Sequence, residues 1–154
     1  MNGNFATLSG RFFRAVAPEL EHSALSGSIR AGRYSRPDQP TLYLSSSEAG
    51  VRAAMIAHSK PGEHRRVLAF DVLAASLFDL RASHALEEVR RKAGDPFDDW
   101  QGAVARGSEP TSWRVRDWIE SIGAKGLIDP SRKEPGLWHL VLFSWNVAGS
   151  PTVR

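Results

Sequence analysis

Strand-like segments lie towards both ends of this chain, and segments with helical spacing lie between them. The predicted strands are 11–16, 42–45, 66–72, 126–129 and 137–145. The predicted helices are 48–58, 83–92, 96–106 and 112–122. Segment 74–80 is apolar and fits either a strand or a helix. This order favours a single α+β domain over residues 1–154, in which helices flank a mixed, twisted sheet.

Several other classes of protein do not fit the sequence. The chain has no Gly-rich phosphate loop and no regular βαβ alternation, which disfavours a doubly wound nucleotide-binding fold. It has no cysteine, so a disulfide scaffold, a thiolate nucleophile and a cysteine-ligated metal are excluded. The five histidines lack the spacing of metal ligands, and we therefore expect no metal site.

Charge and hydropathy limit the partners and the location. The start of the chain lacks the pattern of a signal peptide, and Asp71 and Asp79 interrupt the longest apolar stretch, Val67 to Leu80. We expect a cytoplasmic protein without membrane contact. The net charge is +3, but the basic residues are spread along the chain, with one dense cluster at residues 90–92. This distribution indicates an anionic substrate or an acidic protein partner and no direct nucleic-acid contact.

Residues 32–45 carry the side chains best suited to a ligand. The guanidinium of Arg33 can form paired hydrogen bonds with a phosphate. The rings of Tyr34 and Tyr43 can pack against a planar group, and the hydroxyl of Ser45 can bond to a ribose or an amide. Residues 18–40 form an unusually long predicted loop, and long loops are more often functional than idle. The residues predict a binding site for a dinucleotide or a phosphorylated nucleoside.

Four landmarks along the chain, taken in order, resemble the RES-domain toxins of bacterial toxin–antitoxin pairs. They are Phe13-Arg14-Ala15-Val16; Gly32-Arg33-Tyr34 with Pro37 and Leu42-Tyr43-Leu44-Ser45; Pro110-Thr111-Ser112-Trp113 with the segment 123–128; and Asp129-Pro130-Ser131-Arg132 with the segment 135–143. Each landmark is weak alone, and the four in order are fairly specific. The resemblance implies an ADP-ribosyltransferase-like fold and a protein that acts on NAD as its substrate.

The resemblance also implies roles for individual residues. Arg14 and Arg33 would grip the NAD pyrophosphate through charge-assisted hydrogen bonds. Tyr34 and Tyr43 would pack on the nicotinamide or its ribose. Ser131 would bond to that ribose or to the amide. Cleavage of the nicotinamide–ribose bond gives an oxocarbenium-like sugar, which a nearby carboxylate stabilises.

That carboxylate is where the sequence departs from the family pattern. The family glutamate falls about where Ala54 or Met55 stands, and Glu48 is the only acid on the predicted helix. On a regular helix Glu48 and Met55 share a face but lie about 10 Å apart along the axis. Three alternatives stay open: Glu48 is a displaced substitute, an acid elsewhere such as Asp71 serves, or the chain works differently.

Some of these residues also have ordinary structural explanations. Glu48 is placed to complement a helix N-terminus and to pair with Arg52 four residues on. Tyr43 on a strand is often an edge residue of the core, and Ser131 after a proline is often part of a turn. Arg14 on an apolar strand would need a carboxylate partner if its role were structural.

The resemblance implies a toxin that releases nicotinamide from NAD and passes ADP-ribose to a target protein, to water or to phosphate. A cognate antitoxin, a small helical DNA-binding protein of the Xre/ParS type, would cover the cleft. One alternative is a catalytically silent module that binds NAD or another nucleotide. A second is a toxin that acts on nucleic acid, but the sequence has no His/Lys/Glu nuclease cluster.

Overall fold

The computed structural model describes residues 5–58 and 64–154, with the side chains of all of these except 53, 54 and 56–58. Its strands are β1 (Ala6–Val16), β2 (Leu42–Ser45), β3 (Arg66–Asp79), β4 (Gly126–Pro130), β5 (Trp138–Leu142) and β6 (Thr152–Val153). Its helices are α1 (Glu48–His58), α2 (Ser83–Lys92), α3 (Trp100–Ala105) and α4 (Thr111–Ser121), with a 3₁₀ helix at Pro18–Ser23.

Five strands close on themselves. The order is β1-β2-β5-β4-β3, and β3 pairs again with β1, while β6 pairs with β3 at Val72 and Leu73. The β3–β4 pair is parallel and the other pairs are antiparallel, so the sheet is mixed. The predicted α+β class is confirmed, and the closed sheet leaves an inner and an outer face for side chains.

Each face of the closed sheet has its own core. Strand residues alternate between the two faces. The inner core draws on all six strands and includes Phe12, Leu44 and Leu140. The outer core lies between the sheet and helices α2 and α4, and it includes Tyr34 of the loop before β2, Val141 of β5 and side chains of both helices. The two helices therefore cover part of the outer face.

The element boundaries mostly follow the local pattern. Helices α1 and α2 have the predicted bounds, and the ambiguous segment 74–80 continues β3, where Leu77 and Phe78 pair with β4. The predicted helix 96–106 is wrong over its first turn: Pro96 is buried in a loop, and α3 begins after Asp99, whose carboxylate accepts from the Gly102 amide. The predicted stop of α1 at residues 60–62 lies outside the described residues.

Candidate functional site

A row of four side chains crosses the outer face at one end of the closed sheet. Phe13 of β1 pairs with Ser45 of β2, Ser45 pairs with His139 of β5, and His139 pairs with Asp129 of β4. Residues directly opposite in neighbouring strands point to the same face. Helices α2 and α4 cover the adjacent part of this face, around Tyr43 and Val141. We call the three polar members of this row, Ser45, His139 and Asp129, the polar row. It begins where the outer core ends.

Asp129 is the one acid among these four residues, and it is buried, with 4% of its surface exposed. Its Oδ1 accepts hydrogen bonds from the Tyr34 hydroxyl at 2.8 Å and from Arg132 Nη1 at 3.0 Å, and its Oδ2 lies 3.4 Å from Arg132 Nη2. Tyr34 is fully buried, and burial followed by the Asp129 charge raises its pKa well above the ordinary value. The phenol therefore stays protonated and donates to the carboxylate.

His139 stands beside Asp129 and is mostly buried. Burial lowers its pKa below the ordinary value of 6.5; the Asp129 charge acts in the opposite direction, and the Arg132 charge lowers the pKa further. The first of these effects is the largest, because removing an imidazolium from water is costly. The row thus places an imidazole whose protonated form is disfavoured next to a hydrogen-bonded carboxylate.

Helix α4 holds the loop segment 32–34 by its backbone. Three side chains of the helix donate to three successive carbonyl oxygens of this segment. The pairs are Trp113 Nε1 with Gly32 at 2.8 Å, Ser112 Oγ with Arg33, and Arg116 Nη1 with Tyr34 at 3.0 Å. Arg116 is itself buried and pairs with Glu120. A segment that lies outside the strands is therefore fixed in position.

Gly32 is needed because Tyr43 comes very close to it. A Cβ at this position would lie 2.6 Å from the Tyr43 hydroxyl and 3.0 Å from Ser35 Oγ. The Tyr43 hydroxyl in turn bonds to Ser35 Oγ at 2.7 Å and accepts from the Tyr34 amide at 3.2 Å. Gly32 and Tyr43 are therefore in direct contact, and this contact leaves no room for a side chain at position 32.

Arg33 points away from this anchored backbone towards the loop before α3. Its Nη1 donates to the carbonyl oxygens of Pro96 at 3.1 Å and Asp98 at 2.7 Å. No carboxylate of a described residue contacts its guanidinium. Burial lowers the pKa of Arg33, and the charge of Arg132 lowers it further, while the charges of Asp129 and Asp99 raise it. The Arg33 charge is therefore not neutralised by direct contact.

Arg14 has an unsatisfied donor. Its Nε is buried and has no hydrogen-bond partner among the described residues, and burial lowers the pKa of the guanidinium. Arg14 follows Phe13 directly, so strand alternation turns its side chain to the inner face, one residue beyond the polar row. Strands β2 and β4 end here and β5 begins here, so Arg14 lies at the rim of the closed sheet.

The remaining predicted residues are held by local contacts. Ser45 is buried, and its hydroxyl donates to the Ser47 carbonyl at 3.2 Å. Glu48 has an exposed side chain that pairs with Arg52 at 2.7 Å. Ser131 Oγ accepts from the amides of residues 133 and 134, as in a turn. Asp71 is exposed in the β1–β3 ladder and contacts Arg11.

The structure thus brings together Tyr34, Ser45 and three residues that sequence reasoning did not single out as site residues. These three are Asp129, Arg132 and His139. A signal for Asp129 was present, because this acid directly follows two apolar strand residues. In the parts of the chain that the structure describes, no cluster of His, Cys, Asp or Glu is arranged to hold a metal ion. No helix in those parts has the length and apolar character of a membrane span.

Comparison with known proteins identifies the family. The family model described as RES domain matches residues 11–154. This chain belongs to the RES domain family. No curated protein matches it in sequence. The RES domain described here resembles one chain of the crystal structure of the M. tuberculosis MbcT-MbcA toxin-antitoxin complex. The TM-score is 0.61 at 19% identity, and the match covers 97% of this chain and 84% of that chain.

At this level of identity the structural likeness concerns the fold. The family match begins at Arg11, within β1, and runs to the last residue, so it includes every strand of the closed sheet. The RES domain of this chain therefore comprises the polar row, the anchored segment 32–34 and the rim with Arg14. The position expected for the family glutamate lies on α1, where Met55 is half-buried.

Proposed function

We propose that this protein is the toxin of a bacterial toxin–antitoxin pair and that it cleaves the nicotinamide–ribose bond of NAD. ADP-ribose would pass to a target protein, to water or to phosphate. The membership of the RES family and the fold shared with a chain of a toxin–antitoxin complex support the class. The proposed cleavage of NAD is argued from the residues of the candidate site.

The observation that carries the proposal is the buried, unpartnered Nε of Arg14. A buried donor without a partner costs about 1–3 kcal/mol, so native structures rarely keep one. A ligand phosphate would satisfy it with a charge-assisted hydrogen bond. In this proposal an extended dinucleotide lies across the rim of the sheet, with its pyrophosphate near Arg14 and Arg33 and its nicotinamide end along the polar row.

The other residues receive roles that follow from their surroundings. Tyr43, half-buried at the edge of the outer core, would pack on the nicotinamide or its ribose. Ser45 and Ser131 would hydrogen-bond to the ribose or the amide. The Tyr34 ring has no exposed face, so we assign it to holding Asp129 through its hydroxyl rather than to stacking on a ligand.

The acid that stabilises the oxocarbenium-like sugar is proposed to be Glu48. It stands at the start of α1, three residues after Ser45 of the row, and half of its side chain is exposed. Its partner Arg52 is also exposed, and an exposed ion pair of this kind contributes about 0–1 kcal/mol. Such a weak contact can open when a positively charged sugar competes for the carboxylate.

The test is the release of nicotinamide from NAD by the purified protein. We expect release by the wild type and a loss of at least about 100-fold for Glu48→Gln, as is typical of removing a catalytic carboxylate. Glu21→Gln is the matched control, because Glu21 also forms an exposed ion pair, with Arg66. A wild-type rate for Glu48→Gln would remove Glu48 from the proposal. No release by the wild type would favour the catalytically silent binding module.

Two further experiments identify the acceptor of ADP-ribose and test the toxicity of the protein. Labelled NAD, incubated with phosphate or with cell lysate, shows whether the label ends on water, phosphate or protein. Arg33→Ala should abolish toxicity on expression while the far-UV circular dichroism stays native, and Arg36→Ala should leave toxicity intact. Undiminished toxicity of Arg33→Ala would contradict its role at the pyrophosphate. A small helical antitoxin is the proposed partner that covers the cleft.

A further inference from the structure

The loop before α3 brings a second guanidinium to the neighbourhood of Arg33. Arg33 Nη1 bonds to the carbonyl oxygens of Pro96 and Asp98, and the ring between them, Phe97, lies under Arg132 at 5.1 Å from the guanidinium carbon to the ring centroid. The two cations therefore contact three successive residues of one loop. The effect of the Arg132 charge on the pKa of Arg33 agrees with this proximity.

Arg132 is held in place by a buried pair that the catalytic roles above do not use. Asp129 binds Arg132 through both nitrogens of its fork, and the buried Tyr34 hydroxyl fixes Asp129 from the other side. A buried acid and a buried phenol bonded to each other allow little movement. The chain thus sets the orientation of an arginine whose side chain is still 35% exposed.

Both guanidiniums keep donors for a ligand. Arg33 uses Nη1, and its Nε and Nη2 make no hydrogen bond to the described residues. Arg132 Nε is likewise unused. Asp99, whose charge also acts on Arg33, is engaged at the α3 N-terminus. Two forks with free donors match the oxygens of a phosphoryl group.

We propose that Arg132 is a phosphate-binding residue, that Asp129 and Tyr34 position it beside Arg33, and that the two arginines together bind one phosphoryl group. The group comes from the dinucleotide pyrophosphate or from free phosphate as an acceptor. This inference rests on the proposed NAD-cleaving function for its biological meaning. Anion binding itself can be measured without catalysis.

The experiment is calorimetric titration of the full chain with ADP-ribose, inorganic pyrophosphate and inorganic phosphate. Arg132→Lys keeps the positive charge but removes the planar guanidinium with its paired donors. We expect it to weaken anion binding by about tenfold or more, as the loss of one charge-assisted hydrogen bond does. Arg36→Lys is the matched control, since Arg36 also binds an acid through its fork, at Asp117, and lies over a ring, at Trp113. It should bind anions like the wild type.

The positioning role has its own readout. Tyr34→Phe should weaken pyrophosphate binding in the wild-type background and have no further effect in the Arg132→Lys background, because the phenol acts through Arg132. A Tyr34 hydroxyl that served only the fold would reduce binding equally in both. Equal effects in the two backgrounds would therefore contradict the positioning role.

Each outcome of the titrations decides the proposal. Binding of ADP-ribose and pyrophosphate that depends on Arg132 supports the site and assigns it to the dinucleotide. Binding of inorganic phosphate alone with the same dependence supports the site and assigns it to an acceptor. No anion binding by the wild type, or equal affinity of Arg132→Lys and the wild type, overturns it. Nicotinamide release at the wild-type rate alongside such a result would leave the proposed function standing.

Discussion

At the scale of single residues, Arg14 is the side chain that the fold alone does not explain. It occupies a strand between partly buried apolar neighbours, and its buried Nε has no partner among the described residues. The requirement for a partner follows from the sequence, because an arginine among apolar strand residues is costly unless it is paired. Which group would be the partner depends on contacts that no sequence pattern specifies.

Replacing Arg14 with methionine, an unbranched apolar side chain, should raise the free energy of unfolding. The expected gain is about 1–3 kcal/mol, because the variant no longer buries an unsatisfied donor. Urea denaturation followed by circular dichroism measures it, and Arg33→Met, which loses two backbone-directed hydrogen bonds, should change in the opposite direction. An Arg14→Met variant less stable than the wild type would show that Arg14 has a structural partner.

His139 predicts a pH dependence of stability. Burial lowers its pKa in the folded protein below the ordinary 6.5 that applies to the unfolded chain. As the pH falls, the unfolded chain therefore takes up a proton first, so stability is lost as the pH falls below about 6.5. His139→Gln should flatten this dependence in urea denaturation. Equal slopes for the variant and the wild type would contradict a buried, neutral His139.

At the scale of elements, α4 supports the site without forming part of its surface. Its three donors bind three successive carbonyls of the segment that carries Arg33 and Tyr34. The helical spacing of residues 112–122 predicted the helix, and its apolar stripe predicted a buried face. The donors to the loop could not be predicted, because they join residues about 80 positions apart.

The contact between Gly32 and Tyr43 predicts a coupled pair of substitutions. Gly32→Ala should lower the free energy of unfolding by about 1–3 kcal/mol, because its Cβ would clash with the Tyr43 hydroxyl. Tyr43→Phe removes that hydroxyl, so the double variant should be more stable than the sum of the two single effects predicts. Additive effects in urea denaturation would show that the hydroxyl is not the obstacle.

At the scale of the whole molecule, the sequence predicted the class and the resemblance predicted the family. Local patterns predict helices and strands, and these gave an α+β domain with α1 and α2 at their observed bounds. They do not specify which strands pair. The closure of β1 onto β3 and the row from Phe13 to Asp129 are products of pairing, which is why Asp129, Arg132 and His139 were missed.

The fold also places Arg14 and Arg33, two of the three arginines proposed to bind phosphate, on different parts of the molecule. Arg14 is turned to the inner face at the rim, and Arg33 extends from a loop that α4 holds against the outer core. A single phosphate could bind either of them, whereas in our proposal the pyrophosphate of an extended dinucleotide contacts both. The central claim is therefore that the rim is built for a dinucleotide and that Arg14 is buried to bind it.

The most direct test is the urea unfolding midpoint of the wild type and Arg14→Met, each with and without saturating ADP-ribose. A ligand that binds only the folded state raises its stability, by about 2.7 kcal/mol at a hundredfold excess over Kd. We predict that ADP-ribose stabilises the wild type and leaves Arg14→Met, the more stable protein without ligand, almost unchanged. Equal stabilisation of both proteins, or no stabilisation of the wild type, would contradict the claim.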